Sequence, residues 1–174
     1  GHQASEINLE KVSVESSHVI GDIGKGFPIL EGAIDKGILA VGAEAVGAME
    51  VLYKSTVEYC KTREQFGQPI GKFQVLQHRM VDMFMEHEQS KSLLFMAAIK
   101  MSSGDEAEKK RSISALKVQV GKSGRFVGQN AIQLHGGMGM TDELNIGHYF
   151  KRLTAIETLF GNVDHHLKKY SNVA

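Results

Sequence analysis

The feature that most constrains this chain is one long, unbroken helical repeat near its start. Leu30, Ile34, Ile38, Val41, Ala45, Ala48, Leu52, Thr56 and Tyr59 recur at steps of three and four residues, the period of one face of an α-helix. The spacing predicts a helix from about Pro28 to Lys61, with its proline in the first turn, where a missing N–H is tolerated. Gly37, Gly42 and Gly47 lie inside it among small residues. An interior glycine costs roughly 1 kcal/mol against alanine, so these three make sense where another backbone or a ligand comes close, tight helix packing being the plainer reason.

The rest of the chain reads in the same way. Gly67-Gln68-Pro69-Ile70-Gly71 breaks the first helix, and Leu76, Met80, Met83, Phe84, His87, Leu94, Ala98 and Met101 mark the face of a second. Methionines at such spacing are core filler more often than a cofactor box. Ser102-Ser103-Gly104-Asp105 is the next stop, with Asp105 placed to cap a third helix. Ile113, Leu116, Val120, Val127, Ala131 and Leu134 carry that helix to Gly136-Gly137. A short helix after Thr141-Asp142-Glu143 and a last one from about Thr154 to Tyr170 complete the pattern. Before the first helix, Ile7, Leu9, Val12 and Val14 alternate with polar residues as in a short strand, and His18 to Gly26 is a glycine-rich turn. The expected fold is all-α: an antiparallel four-helix bundle with an extra short helix and an N-terminal strand remnant, residues 1–27 being a lead-in and 28–174 the bundle.

Composition narrows the function classes. Formal net charge is zero with His neutral, so nothing draws the chain to nucleic acid or an anionic membrane. No apolar run approaches the roughly 20 residues that span a bilayer. Gly1-His2-Gln3 lacks the basic and apolar regions of a signal peptide. A single cysteine, Cys60, excludes an internal disulfide and fits a reducing compartment, so a soluble cytoplasmic domain is expected.

Several patterns fail as sites. Gly21-x-x-Gly24-x-Gly26 lacks the spacing of a dinucleotide fingerprint, and no second strand with an acidic residue follows. Asp164-His165-His166 has no Asp/His cluster beside it, and Glu15-x-x-His18, the one Glu-x-x-His spacing, lies in the lead-in, so no metal is expected. Nothing brings Cys60 and His78 together as nucleophile and base. Two stretches are informative: Thr62 to His78, and Gln133-Leu134-His135-Gly136-Gly137-Met138-Gly139-Met140-Thr141. Arg63 is able to give paired hydrogen bonds to phosphate. Phe66 and Phe73 offer apolar faces, Gln65 and Gln133 amide donors, and Gly136-Gly137 a close backbone approach to an anion.

Arg63-x-x-Phe66-Gly67-x-Pro69-Ile70, then Phe73-Gln74-x-x-Gln77-His78, resembles the signature between the first two C-terminal helices of acyl-CoA dehydrogenases. Gln133-x-x-Gly136-Gly137-x-Gly139 is similar to the second half of that signature, and the lead-in is similar to the hand-over from the family's middle β-domain. The resemblance implies a parent flavoprotein that binds FAD and an acyl-CoA, with this bundle at the centre of a homo-oligomer or a heteromer. It places Arg63, Gln65 and Phe66 against the adenosine diphosphate part of a neighbouring protomer's FAD, with Phe73, Leu76, Gln133 and the Leu134, His135, Gly136 and Gly137 backbone completing the site. The family's base is a glutamate in a Tyr-Glu-Gly-Thr-like segment or, in some members, on the first bundle helix. Gly161 and Gly37 stand at the matching positions, so both bases are absent, and Glu157 and Asp164 are the nearby carboxylates that a relocated base would use. The segments Gly147–Arg152 and Leu159–His166 resemble small subunits of heteromeric dehydrogenases such as those acting on pimeloyl-CoA. A non-catalytic subunit, inactive as this fragment, is the resulting expectation; a helical assembly module without flavin is the alternative.

Overall fold

A computed structural model describes residues 5–172; the Gly1-His2-Gln3 start lies outside them. Among the described residues five α-helices run in order: α1 (Phe27–Thr62), α2 (Gln74–Met101), α3 (Glu106–His135), α4 (Ile146–Thr158) and α5 (Val163–Asn172). The first three form an antiparallel bundle, and α4 and α5 lie across α3 and α1. The fold is the expected all-α bundle. No helix among the described residues is long and apolar enough to cross a membrane, and no cluster of three or more His, Cys, Asp or Glu suits a metal.

Local chemistry explains most of the helix ends. Pro28 sits in the first turn of α1. Asp105 caps α3, its Oδ1 accepting from the N–H groups of Ala107 at 2.9 Å and Glu108 at 3.1 Å. Gly136 ends α3 at φ 59°, a left-handed conformation that glycine reaches without a Cβ clash. Between α1 and α2, a two-residue hairpin pairs β1 (Glu64–Gln65) with β2 (Gln68–Pro69), Gln65 opposite Gln68. Phe66 and Gly67 turn it with φ of 55° and 77°, the left-handed pair that a tight hairpin demands.

The core centres on α3, whose Ile113, Leu116, Val120, Val127, Ala131 and Leu134 are all buried. On α1, Ile38, Ala45, Ala48, Leu52 and Thr56 are buried as their period predicts, whereas Leu30 is exposed. A Cβ on Gly42 would stand 2.8 Å from a Leu116 methyl, and one on Gly37 would stand 3.0 Å from the Phe160 ring. Gly47 meets nothing within 4 Å, so only two of the three glycines mark a close approach. On α2 the buried face is Met83, His87, Ser90 and Ala97, while Phe84 and Ala98 turn outward.

Two expectations are corrected. Residues 7–14 form no strand; Ile7, Leu9, Val12 and Val14 are exposed, and among the described residues the one regular element before α1 is a single 3₁₀ turn at Ser16–His18. Alternation alone does not make a strand, because its backbone groups need a neighbouring strand to pair with. The last helix, expected from about Thr154, is in fact two, separated by an elbow at residues 159–162. Phe160 and Gly161 adopt φ of 59° and 105° there, which no helix continues through. Asn162 restarts the chain, its Oδ1 accepting from the His165 N–H at 3.0 Å.

The elbow is pinned from below. Lys117, 1% exposed on α3, donates from Nζ to the Glu157 carbonyl at 2.9 Å and the Gly161 carbonyl at 2.8 Å. A cation thus meets the carbonyl-rich C-terminus of α4. Burial lowers the Lys117 pKa, opposed by the nearby Glu157 charge. His166, also 1% exposed, donates from Nε2 to the Phe160 carbonyl at 3.0 Å. On the surface, Arg152 of α4 grips Glu44 of α1 through two hydrogen bonds.

Lys117→Met is expected to cost roughly 2 kcal/mol in urea unfolding, because it orphans two buried carbonyls. His166 titrates at about 4, chiefly through burial, with Lys117, His165 and Lys169 also opposing the proton. The unfolded chain therefore takes up this proton first as pH falls. Stability is expected to drop from about pH 6.5 to about pH 4, by up to about 3 kcal/mol, with His166→Gln flattening that slope in unfolding measured against pH.

Candidate functional site

The two informative stretches meet in space. The end of α1 with β1, and the end of α3 with its glycine turn, form the walls of an open groove of about 400 Å³. Arg63, Gln65, Gln133, Leu134, His135, Gly136 and Gly137 all line it, joined by Tyr59, Ile70 and Met138. Arg63 follows the last residue of α1, its N–H donating to the Tyr59 carbonyl at 2.8 Å, and its carbonyl accepts from Ile70 N–H at 2.8 Å. Those bonds hold the backbone while no described residue engages the guanidinium. Gln65 bends back, its side-chain amide donating to the Glu64 carbonyl at 2.7 Å.

Three expected site residues stand apart from this lining. Phe66 is at the hairpin tip, 92% exposed, with its ring edge-on to Phe73 at 6.0 Å. Leu76 packs against the core from the first turns of α2. The hairpin accounts for Phe66, since a two-residue turn projects its first residue away from the strands; Leu76 is placed by its register on α2. Tyr59 was not expected. It stacks on the His135 ring at 4.4 Å and 30°, and its place one helical turn before Arg63 is the signal that would have found it.

The groove's electrostatics follow from where the helices end. Both α1 and α3 point their C-termini at it, so two negative dipole ends face the opening. The Gly136 N–H is already spent on the Gln133 carbonyl. Phosphate attraction therefore falls to Arg63, and the α3 end suits hydrogen-bond donors instead. An unengaged guanidinium beside two negative helix ends fits a ligand with phosphates at one end and hydroxyl or amino groups at the other, so a dinucleotide such as FAD fits these residues.

The positions expected to lack a base also come together. The Phe160 ring covers Gly37, so the α1 and elbow positions converge on one place, and an aromatic side chain fills it. A Cβ at Gly161 would lie 2.5 Å from the His165 ring at φ 105°. Beyond the elbow, a cleft of about 570 Å³ is lined by Arg125, Glu157, Asn162 and Asp164 among others. Glu157 and Asp164 thus share one cavity, with Arg125 Nη2 at 3.8 Å from the Glu157 carboxylate. This is the larger of the two openings, but the paired signature residues are in the other.

Comparison with known proteins places this geometry. Residues 24–171 match the model of the acyl-CoA dehydrogenase C-terminal domain. The chain is 32% identical over 156 residues to the 3-(aryl)acrylate reductase of Clostridium sporogenes, covering 90% of this chain and 41% of that protein. Butyryl-CoA dehydrogenase of Megasphaera elsdenii is similar with a TM-score of 0.80 at 29% identity, over 86% of this chain and 38% of that one. PigA, seen with FAD and proline, has a TM-score of 0.73 at 28% identity, over 78% of this chain and 35% of that one. The chain spans about two fifths of the length of the curated relatives it matches. By the family model over most of its length and by a bundle that brings the two halves of the signature into one groove, this chain belongs to the acyl-CoA dehydrogenase family as its C-terminal helical domain.

Proposed function

We propose that this chain serves an FAD-dependent acyl-CoA dehydrogenase by holding the adenosine diphosphate half of a neighbouring protomer's FAD and by assembling the oligomer. The observation that carries the reading is the single groove in which Arg63 and Gln65 face Gln133 to Gly137, although the two stretches lie far apart in sequence. Arg63 would clamp the pyrophosphate, Gln65 and Gln133 would orient it, and the α3 end would meet the nucleoside. Phe66 and Phe73, projecting beyond the groove, would close over the cofactor from the hairpin side. Bound FAD supplies a two-electron acceptor; the domains beyond this chain would supply most acyl-CoA contacts. PigA, seen with FAD, and butyryl-CoA dehydrogenase support this cofactor and substrate class.

Assembly is supported by surface composition. The outer face of α2 exposes Val81, Phe84, Met85, Phe95, Met96 and Ile99, a stripe of the kind that subunit contacts cover.

The same reading makes this a non-catalytic subunit of a heteromer. Neither Gly37 nor Gly161 has an acid–base group; the Phe160 ring lies on Gly37 and the His165 ring beside Gly161. Glu157 is a poor substitute, because Arg125 holds it as a counter-ion and its side chain is only 14% exposed. A helical assembly module without flavin remains the second reading, favoured by the exposed α2 face alone.

In the full-length protein, Arg63→Ala is expected to weaken FAD binding at least tenfold, because a charge-assisted phosphate contact is lost. Unchanged flavin content after purification would reject the cofactor role. The full-length protein alone, given acyl-CoA, FAD and an electron acceptor, is expected to show background turnover only, rising when a glutamate-bearing partner subunit is added. Turnover without the partner, abolished by Glu157→Gln or Asp164→Asn, would place the base in the cleft instead.

A further inference from the structure

The family signature marks His135 for its backbone, but the side chain has a chemistry of its own. It is 4% exposed and still lines the groove. Its Nδ1 lies 2.8 Å from the Ala131 carbonyl. A carbonyl oxygen only accepts, so Nδ1 must carry the proton. Burial holds the imidazole below its ordinary pKa, against the small opposing effect of that hydrogen bond. The ring is neutral, and Nε2 keeps its lone pair.

Nε2 has no partner among the described residues, yet it is not sealed. The polar side-chain atoms buried there without a partner are the two nitrogens of His87, whose Nδ1 lies 3.0 Å from Glu88 but off the hydrogen-bonding line. Nε2 of His135 therefore reaches solvent, and the opening that His135 lines is the groove. The Tyr59 stack at 4.4 Å fixes the ring plane, and the Ala131 bond fixes its rotation. An acceptor has thus been set rigidly in the groove, where an ionised phosphate has no proton to give it but a hydroxyl or amino group has.

We infer that His135 Nε2 is a specificity-determining acceptor, taking a hydrogen bond from a hydroxyl or amino group on the nucleoside end of the bound dinucleotide. This rests on the dinucleotide reading of the groove. Tyr59 is the positioning residue that holds the ring for it.

The test uses the full-length protein stripped of flavin and titrated with FAD, followed by flavin fluorescence. His135→Phe keeps a flat ring on Tyr59 and removes the acceptor; His135→Gln returns an oxygen acceptor near the place of Nε2. His135→Phe is expected to weaken FAD roughly three- to tenfold, the range of one neutral hydrogen bond, while the flavin-free protein stays folded. His135→Gln is expected to recover most of the affinity. Equal affinity in the phenylalanine variant, or equal loss in both variants, overturns the inference while leaving the groove's role intact. Failure of the wild type to bind FAD removes the dinucleotide reading itself. Should the phenylalanine variant not fold, a crystal structure of the FAD-loaded wild type decides. A nucleoside O–H or N–H within about 3.2 Å of Nε2 supports the acceptor role, and a carbon atom or solvent there overturns it.

Discussion

The arrangement of the C-terminal third depends on one buried cation. Lys117 leaves water to meet the carbonyls of Glu157 and Gly161, and its desolvation is offset because those carbonyls would otherwise be orphans at the end of α4. By holding them it fixes where α4 stops, and so where the chain folds back. Phe160 is then forced into a left-handed conformation that lays its ring on Gly37, and Asn162 is placed to start α5. His166 returns from α5 to hold the Phe160 carbonyl. The strain of a non-glycine residue at positive φ persists because two buried donors overdetermine the elbow.

A comparable constraint shapes the groove, with the opposite sign. Where Lys117 satisfies one helix C-terminus inside the protein, the ends of α1 and α3 are left facing outward. Their negative dipole ends favour donors at the groove, and Arg63 supplies the only cation among its lining residues. Both properties follow from α1 and α3 running parallel to each other, so that their C-termini end on the same side. Glycine at 136 lets α3 end there without a side chain in the opening.

Much of this was legible in the residues because it is local. The 3.6-residue period placed three long helices within a few positions, Asp105 announced a cap, and Gly136-Gly137 announced a stop; each is decided within one or two turns of backbone. Seven of the ten expected site residues fall together in the groove, because the motif halves end the helices that form it. Phe66 does not, since a two-residue hairpin puts it at an exposed tip, and neither do Phe73 and Leu76, which stand at the N-cap and in the first turn of α2, with Leu76 turned to the core. The misread strand at residues 7–14 and the missed break at Gly161 fail for a common reason. Alternation or helical period shows what a segment is able to become, and its neighbours decide whether it does.

By itself, then, the sequence determined the helical architecture and the membership of a family, both of which rest on short-range pattern. Tertiary structure alone decided that Lys117 is a buried cap and not a solvated lysine, that Gly37 lies beneath Phe160, and that His135 shows an acceptor nitrogen to the groove. Those properties belong to pairs of residues tens of positions apart. Their energies come from burial and from which carbonyl happens to lie within hydrogen-bonding reach, and neither quantity exists until the helices pack.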